Sequence, residues 1–239
     1  MTMWPAAPAE LPALERTVHV WAVPLDDARV DVDAGRKLLS PDERERAARF
    51  YFEQHRRRFL LAHIALHWIL SRYLKIPPAR LYFELGNNGK PKLPPALTNS
   101  GFEFNLSHSN DMALLAINLI GEVGVDIEYV KPGFKFEEIA ESFFTAREVA
   151  ELRGLPSELQ RQAFFKCWTC KEAFLKAKGT GLSGRLDEVE ITLSASDEVR
   201  IRADVAGWSL AELNPIDAYE AALVVASPPV PICCYRWQP

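Results

Sequence analysis

The sequence has few cysteines, no long apolar run and no excess of basic charge. Only four of its 239 residues are cysteine, too few for the disulfide framework typical of small secreted domains. Cys167 and Cys170 form a CxxC pair inside a predicted helix, while the adjacent Cys233 and Cys234 lack the spacing of a second zinc-binding pair. We interpret all four as structural residues, with redox or zinc-binding roles as the alternatives.

Two further absences bear on location and partners. No apolar run reaches the length that spans a bilayer, and the first residues lack the charged start and apolar core of a signal peptide. The formal net charge of −4 argues against non-specific nucleic-acid binding. We therefore predict a cytoplasmic protein that binds neither membrane nor nucleic acid.

What is present is an alternation of helices and strands typical of an α+β fold. Helical periodicity and capping signals predict helices from Ser40, over 55–74, from Thr145 and over 157–178. Alternating or apolar runs predict strands over 17–25, 80–85, 102–106, 112–117, 123–128, 188–193, 199–203, 208–213, 219–226 and 232–237. Helices precede a strand meander twice, so we predict two similar α+β halves, residues 1–119 and 120–239.

The most basic stretch lies in the first two helices, where six arginines fall between Arg44 and Arg58. Arginine suits phosphate because its guanidinium presents a planar fork of donors. A solvated charged face is the alternative. His63 and His67 are four residues apart and could share a metal, but the glutamate of the zinc-protease helix motif is absent.

The strand over 123–128 carries two carboxylates among apolar residues. Because side chains alternate along a strand, Val125 and Ile127 face one way while Asp126 and Glu128 face the other. Two carboxylates on one face repel unless a cation lies between them, and clustered oxygen ligands suit magnesium. The alternative is a solvent-facing acidic edge.

The helix that ends at Gly179 has a stripe of mixed chemistry. Trp168, Glu172 and Lys176 are four residues apart and share one face. The stripe is either a partly buried tryptophan beside a surface ion pair, or part of one site with the acidic strand.

Five segments together resemble one family. They are Gly89-Lys90-Pro91, Phe104-Asn105-Leu106-Ser107-His108-Ser109, Gly124-Val125-Asp126-Ile127-Glu128, Phe143-Phe144-Thr145 with Glu148, and Trp168-Thr169-Cys170-Lys171-Glu172-Ala173-Phe174-Leu175-Lys176. In this order the segments resemble the GKP, FNxSHS, GxDxE, FF-T/S-xxE and WxxKEAxxK motifs of 4′-phosphopantetheinyl transferases of the surfactin-synthetase-activating type. The resemblance spans about residues 38–226.

The resemblance implies a reaction, partners and a fold. Members of this family transfer the phosphopantetheine arm of coenzyme A to a serine of an apo acyl, polyketide or peptidyl carrier protein, with magnesium, and release adenosine 3′,5′-bisphosphate. The implied fold is a pseudo-dimer of two α+β halves with the active site in the cleft between them, and a monomer is expected.

Metal-binding and catalytic roles also follow from the resemblance. Asp126, Glu128 and Glu172 would hold magnesium against the pyrophosphate, and Glu172 could instead act as the general base on the carrier serine. Lys176 would contact the pyrophosphate, and His108 would donate to a phosphate.

The resemblance implies coenzyme A contacts as well. Ser107 would lie beside His108 at the phosphate, Lys90 and Pro91 would border the adenine, and Arg46 and Arg58 would hold the 3′-phosphate. Lys171 would anchor the acidic residues through Glu148, unless Glu148 only caps its own helix. Glu43 departs from the family, which often has a basic residue there, and a capping box with Ser40 explains it better.

Two other functions remain as alternatives. One is a coenzyme A-binding module that contacts carrier proteins without catalysis. The other is a magnesium-dependent phosphodiesterase that uses the same carboxylates with water as the nucleophile.

Overall fold

The computed structural model describes residues 4–86, 89–98, 101–181, 186, 189–195, 199–203 and 205–239. Asn87 and Asn88, part of the predicted turn before Lys90, lie outside the described residues. Elements of the first half are β1 (Val18–Pro24), α1 (Val32–Gly35), α2 (Pro41–Ala48), α3 (Glu53–Leu74), β2 (Glu84–Leu85), β3 (Pro91–Lys92), β4 (Glu103–Ser109) and β5 (Met112–Asn118).

The second half begins with a strand and continues with three helices before its meander. Its elements are β6 (Val123–Tyr129), α4 (Glu137–Phe143), α5 (Ala146–Gly154), α6 (Ser157–Lys178), β7 (Ile191–Ala195), β8 (Val199–Ala203), β9 (Ser209–Leu213), β10 (Tyr219–Val225) and β11 (Ile232–Arg236). The fold is α+β, as the sequence predicts.

The helices begin and end where the local sequence provides caps. Ser40 and Glu43 form a complete capping box at the start of α2, and Thr145 and Glu148 form another at α5. Helix α6 starts directly after Pro156 and ends at Gly179, which has the left-handed φ of +68° that favours glycine.

Two sheets form the centre of the molecule. The first has the strand order β11-β1-β5-β4 and the second β6-β10-β9. Strand β11 runs parallel to β1 with Val20 opposite Cys234, so the last strand of the chain completes the sheet of the first half. The boundary between residues 119 and 120 stays a prediction. Strand β11 belongs to residues 120–239 in sequence but lies in the sheet of the first half.

Three apolar layers hold these elements together. Alternate residues of β1 and β5, among them Trp21 and Leu115, pack against α3. Residues on the opposite faces of these strands meet Val125 and Ile127 of β6 and Leu223 of β10 between the two sheets. Helix α6 covers the outer face of the second sheet. The burial of Val125 and Ile127, both 0% exposed, confirms the predicted alternation along β6.

The structure differs from the predicted elements in several places, among them the unpredicted α1 and β3 and the start of β7 at Ile191. The strand expected over 80–85 is confined to Glu84–Leu85, because Pro78–Arg80 forms a 3-10 turn instead. Strand β4 continues through Ser109 rather than ending at Leu106. Helix α4 was not predicted. In the described part of the chain, no helix is both long and apolar enough to cross a bilayer.

Candidate active site

The two sheets meet along a seam between their edge strands β4 and β6, and side chains of β4 bridge it. The amide oxygen of Asn105 accepts from Val125 N at 2.8 Å, and the Ser107 hydroxyl donates to Asp126 Oδ1 at 2.8 Å. The Ser109 hydroxyl donates to Glu128 Oε2 at 2.7 Å. The alternating polar residues of the Asn105–Ser109 motif therefore join the two halves and position the acidic strand.

Gly124 allows α6 to lie directly on β6. A Cβ at this position would come within 2.0 Å of the Ala173 carbonyl oxygen and 2.4 Å of Ala177 N, far inside van der Waals contact. The absence of a side chain brings Glu172 and Lys176, one helical turn apart on α6, up to the carboxylates of β6.

Lys176 forms an ion pair with Asp126 across this contact. Its ammonium donates to Asp126 Oδ1 at 2.5 Å and to the Ser107 hydroxyl at 2.7 Å. Asp126 is only 3% exposed, and its second oxygen, Oδ2, is buried without a hydrogen-bond partner. Ser107 is hydrogen-bonded to both Asp126 and Lys176, and its predicted contact with coenzyme A stays a prediction.

The other two carboxylates lie in an environment that favours their protonated form. Burial first, and then the charge of Asp126, raises the pKa of Glu128 to about 7. The same two causes raise the pKa of Glu172, and Glu172 Oε1 is buried without a partner. The three carboxylates thus repel one another, and two of their oxygens lack donors.

These features fit a bound divalent cation. Unpartnered buried carboxylate oxygens and mutually raised pKa values indicate that more positive charge can be accommodated beside Lys176. Within the described residues, no three His, Cys, Asp or Glu side chains already converge closely enough to hold a metal ion. Ligation by Asp126, Glu128 and Glu172 therefore stays a prediction.

A cavity of about 640 Å³ opens beside Glu172 and Lys176 and is walled by both halves. Phe59 and Pro91 line it together with five cationic or ionisable donors, which are Arg46, His63, Lys90, His108 and Lys176. Burial of its ring, and then electrostatic interactions with His63, Lys176 and Arg46, lower the pKa of His108. The pocket has the size and charge for a nucleotide phosphate ligand.

Three of the predicted coenzyme A contacts lie elsewhere or are already engaged. Arg58 is not among the pocket's lining residues. Its guanidinium donates to both carboxylate oxygens of Asp26, at 2.9 Å to Oδ1 and 2.6 Å to Oδ2, and also to Asn110 Oδ1. Lys171 is fully buried and contacts Glu148 at 2.7 Å. Lys90 does line the pocket, but its ammonium donates to the Val123 carbonyl at 2.9 Å.

Glu148 has both roles that the sequence left open. One carboxylate oxygen completes the capping box by accepting from Thr145 N, and the other pairs with Lys171 and accepts from Ile191 N at 2.7 Å. Lys171 also donates to the carbonyl oxygens of Leu186 and Val189. This buried pair ties α5 and α6 to β7, behind the acidic strand rather than at the pocket.

Sequence reasoning missed one group of residues, the Glu43 cluster, formed by Glu43, His63 and His67. Glu43 completes its capping box but is also buried, and it accepts from His63 Nδ1 at 2.7 Å and from His67 Nε2 at 3.1 Å. Burial alone would raise the pKa of Glu43, yet the hydrogen bonds from the two histidines lower it. The four-residue spacing of the histidines was the available signal, and their shared partner is an acid rather than a metal.

The fold and the site together define a protein in which the carboxylates and cations of two α+β halves meet at one seam, beside a cation-lined pocket. A family model described as the 4′-phosphopantetheinyl transferase superfamily matches residues 122–224, and one described as the 4′-phosphopantetheinyl transferase N-terminal region matches residues 28–119.

Similar proteins extend over the whole chain. It is 41% identical over 236 residues to 4′-phosphopantetheinyl transferase HetI of Nostoc sp., covering 99% of this chain and 96% of that protein. It is 36% identical to 4′-phosphopantetheinyl transferase psf-1 of Bacillus pumilus, covering 75% of each, and 32% identical to Sfp of Bacillus subtilis, covering 69% and 70%. The chain belongs to the 4′-phosphopantetheinyl transferase superfamily and is a transferase of this class.

Proposed function

We propose that this protein transfers the 4′-phosphopantetheine arm of coenzyme A to a serine hydroxyl of an apo carrier protein and releases adenosine 3′,5′-bisphosphate. Family membership supports the reaction class. The observation that carries the finer assignment is the seam, where Asp126 and Glu172 each have a buried oxygen without a partner. Glu172 and Lys176, the ion-pair partner of Asp126, line the adjoining cation-lined pocket.

The pocket's own side chains supply binding and orientation. Arg46, His108 and Lys176 would contact phosphate oxygens, and Pro91 with the stem of Lys90 would border the base. The Lys176 ammonium donates to Asp126 and to Ser107 in this structure. A phosphate oxygen close to it would become a further acceptor for the same ammonium. Charge-assisted contacts of this kind are stronger than neutral hydrogen bonds and fix the phosphorus in place.

We propose that Asp126, Glu128 and Glu172 hold magnesium. A magnesium ion bound there would supply Lewis-acid stabilisation of charge on the phosphorus and the leaving group. Two observations support this proposal: Asp126 Oδ2 and Glu172 Oε1 are buried without a hydrogen-bond partner, and the pKa values of Glu128 and Glu172 are raised.

The proton of the attacking serine needs an acceptor on the protein. As the alternative to its place among the magnesium ligands, Glu172 fits this role, because it lines the pocket and burial raises its pKa. The serine oxygen would form a bond to the β-phosphorus, the bond from that phosphorus to the bridging oxygen would break, and the serine proton would pass to Glu172.

One experiment tests the proposal against its alternatives. The protein is incubated with coenzyme A, magnesium and an apo carrier protein, and the carrier is then weighed by mass spectrometry. A carrier heavier by one phosphopantetheine arm, and unchanged when its serine is replaced by alanine, is the expected result. Hydrolysis of coenzyme A with an unmodified carrier would indicate a phosphodiesterase, and binding without either reaction would indicate a binding module.

We also propose that the protein acts in the cytoplasm as a monomer. The fusion of two α+β halves in one chain supports the monomer, because the site is built from both halves of a single copy. The net charge of −4 supports an absence of nucleic-acid partners. Size-exclusion chromatography with light scattering measures the oligomeric state.

A further inference from the structure

The Glu43 cluster lies against the pocket but has no role in the reaction described above. His63 is only 6% exposed and lines the pocket wall. Its Nδ1 is bonded to Glu43 Oε1 at 2.7 Å, and because a carboxylate oxygen only accepts, Nδ1 carries the proton. The other ring nitrogen, Nε2, has no hydrogen-bond partner among the described residues.

The rest of the cluster fixes the position of Glu43. His67 Nδ1 faces the Pro78 carbonyl oxygen at 2.9 Å, and its Nε2 faces Glu43 Oε2 at 3.1 Å and Glu43 Oε1 at 3.2 Å. The Glu43 carboxylate therefore lies between the two histidine rings and is held beside His63.

Phe59 holds His63 beside an arginine that has no acceptor among the described residues. The His63 ring stacks on Phe59 with centroids 4.1 Å apart, and the guanidinium of Arg46 lies over Phe59, 5.6 Å from the ring centroid. Arg46 is exposed on α2 and lines the same pocket. One aromatic ring thus contacts both a guanidinium and an imidazole of the cavity wall.

We propose that His63 binds a phosphate group of the nucleotide together with Arg46, and that Glu43 is its positioning residue. The inference rests on the proposed function, since coenzyme A supplies the phosphate. Its 3′-phosphate is the group we assign to this pair, because the pyrophosphate is assigned to Lys176. A phosphate beside Nε2 favours a proton there, so binding is expected to take up a proton.

Other groups around the pocket could also exchange protons, and the design must separate them from His63. Those that face the cavity, or the Glu43 cluster, from α2, α3, the β2–β3 hairpin, β4 and α6 are Glu43, Arg46, His67, Lys90, His108, Glu172 and Lys176. His108 is the other histidine of the pocket wall. Proton uptake on binding must therefore be compared between the wild type and a variant in which only His63 is changed. Loss of the uptake in that variant assigns the proton to His63.

The test is calorimetric titration of the protein with coenzyme A and with 3′-dephospho-coenzyme A, in buffers of different ionisation enthalpy. The wild type is expected to prefer coenzyme A and to take up protons with it. His63→Gln, which keeps a donor for Glu43, is expected to reduce that preference roughly tenfold and to abolish the uptake. Glu43→Gln keeps the capping geometry and is expected to reduce the proton uptake.

Controls separate a binding role from a structural one. His55→Gln makes the same substitution on an exposed part of α3 outside the pocket lining and is expected to leave preference and proton uptake unchanged. Thermal unfolding of each variant confirms that it is folded.

Two outcomes overturn the inference. If the wild type modifies a carrier but His63→Gln keeps the full preference and proton uptake, the inference fails and the proposed function stands. If the wild type binds no coenzyme A, both fail together.

Discussion

Glu128 gives the fold a pH-dependent contribution that one substitution can measure. Its pKa rises from its ordinary 4.5 to about 7, so the folded protein retains this proton at a pH where the unfolded chain has lost it. The resulting stabilisation is complete below about pH 4.5 and is lost as the pH rises through about 7. Glu128→Gln should therefore leave the unfolding free energy almost unchanged at acidic pH and raise it above pH 7.

The size of the effect follows from the same interval. One pKa unit corresponds to about 1.4 kcal/mol, so a rise from 4.5 to about 7 gives a ceiling of about 3 kcal/mol. Glu128 is only half-buried, and water screens part of the penalty, so we expect roughly 1–2 kcal/mol. The Ser109 hydroxyl that donates to Glu128 at 2.7 Å can donate equally to the glutamine carbonyl.

The assay is chemical denaturation over a pH series with a chelator present and then with magnesium. Glu220 is the matched control, because it lies opposite Glu128 on β10, its pKa is also raised by burial, and it is outside the proposed metal site. Magnesium should stabilise the wild type and Glu220→Gln above pH 7 but stabilise Glu128→Gln much less. A pH-independent effect of Glu128→Gln, or equal stabilisation of all three by magnesium, would refute the reasoning.

Three further predictions concern the same seam. Asp126→Ala should lower the rate of transfer by roughly a hundredfold or more in a folded protein, because a bound ion supplies several kcal/mol of charge stabilisation; near-normal turnover would remove Asp126 from the site. Gly124→Ala should push α6 away from β6, because its Cβ would overlap backbone atoms, and should lower both the melting temperature and activity; an unchanged melting temperature would contradict the close packing. Lys171→Met should lower the free energy of unfolding by about 3–5 kcal/mol, because it leaves Glu148 buried and unpaired. Adding Glu148→Gln to this variant should recover part of the loss in denaturation experiments, and no recovery would argue against the pair.

Much of the fold follows from local signals in the sequence. Helix α6 matches the predicted range of 157–178, because Pro156 directly precedes its first residue and Gly179 directly follows its last. The capping boxes at Ser40 and Thr145 were predicted and are confirmed, since each depends on residues three positions apart. The alternation along β6 is equally local, and it predicted which residues enter the core.

Contacts between residues distant in the sequence were harder to predict. Arg58 meets Asp26, 32 positions away, and nothing in the basic stretch distinguishes it from Arg46, which remains available to a ligand. Lys171 and Glu148 are 23 positions apart, and whether they face the pocket or the interior depends on how α5 docks on α6. The family resemblance identified these motifs, whereas the hydrogen-bond and ion-pair partners of their residues are seen only in the three-dimensional arrangement.

The position of β11 has a consequence for how the chain folds during synthesis. Among the described strands, β11 is synthesised after all the others, yet it is hydrogen-bonded to β1, which precedes them, from Val18 opposite Ile232 to Ala22 opposite Arg236. The first sheet thus lacks one edge strand until every strand of the second has left the ribosome. Pairing across so long a separation is slow. The first half therefore completes its sheet only after the second half has been synthesised. A chain that stops before β11 leaves β1 as an exposed edge strand, which favours aggregation.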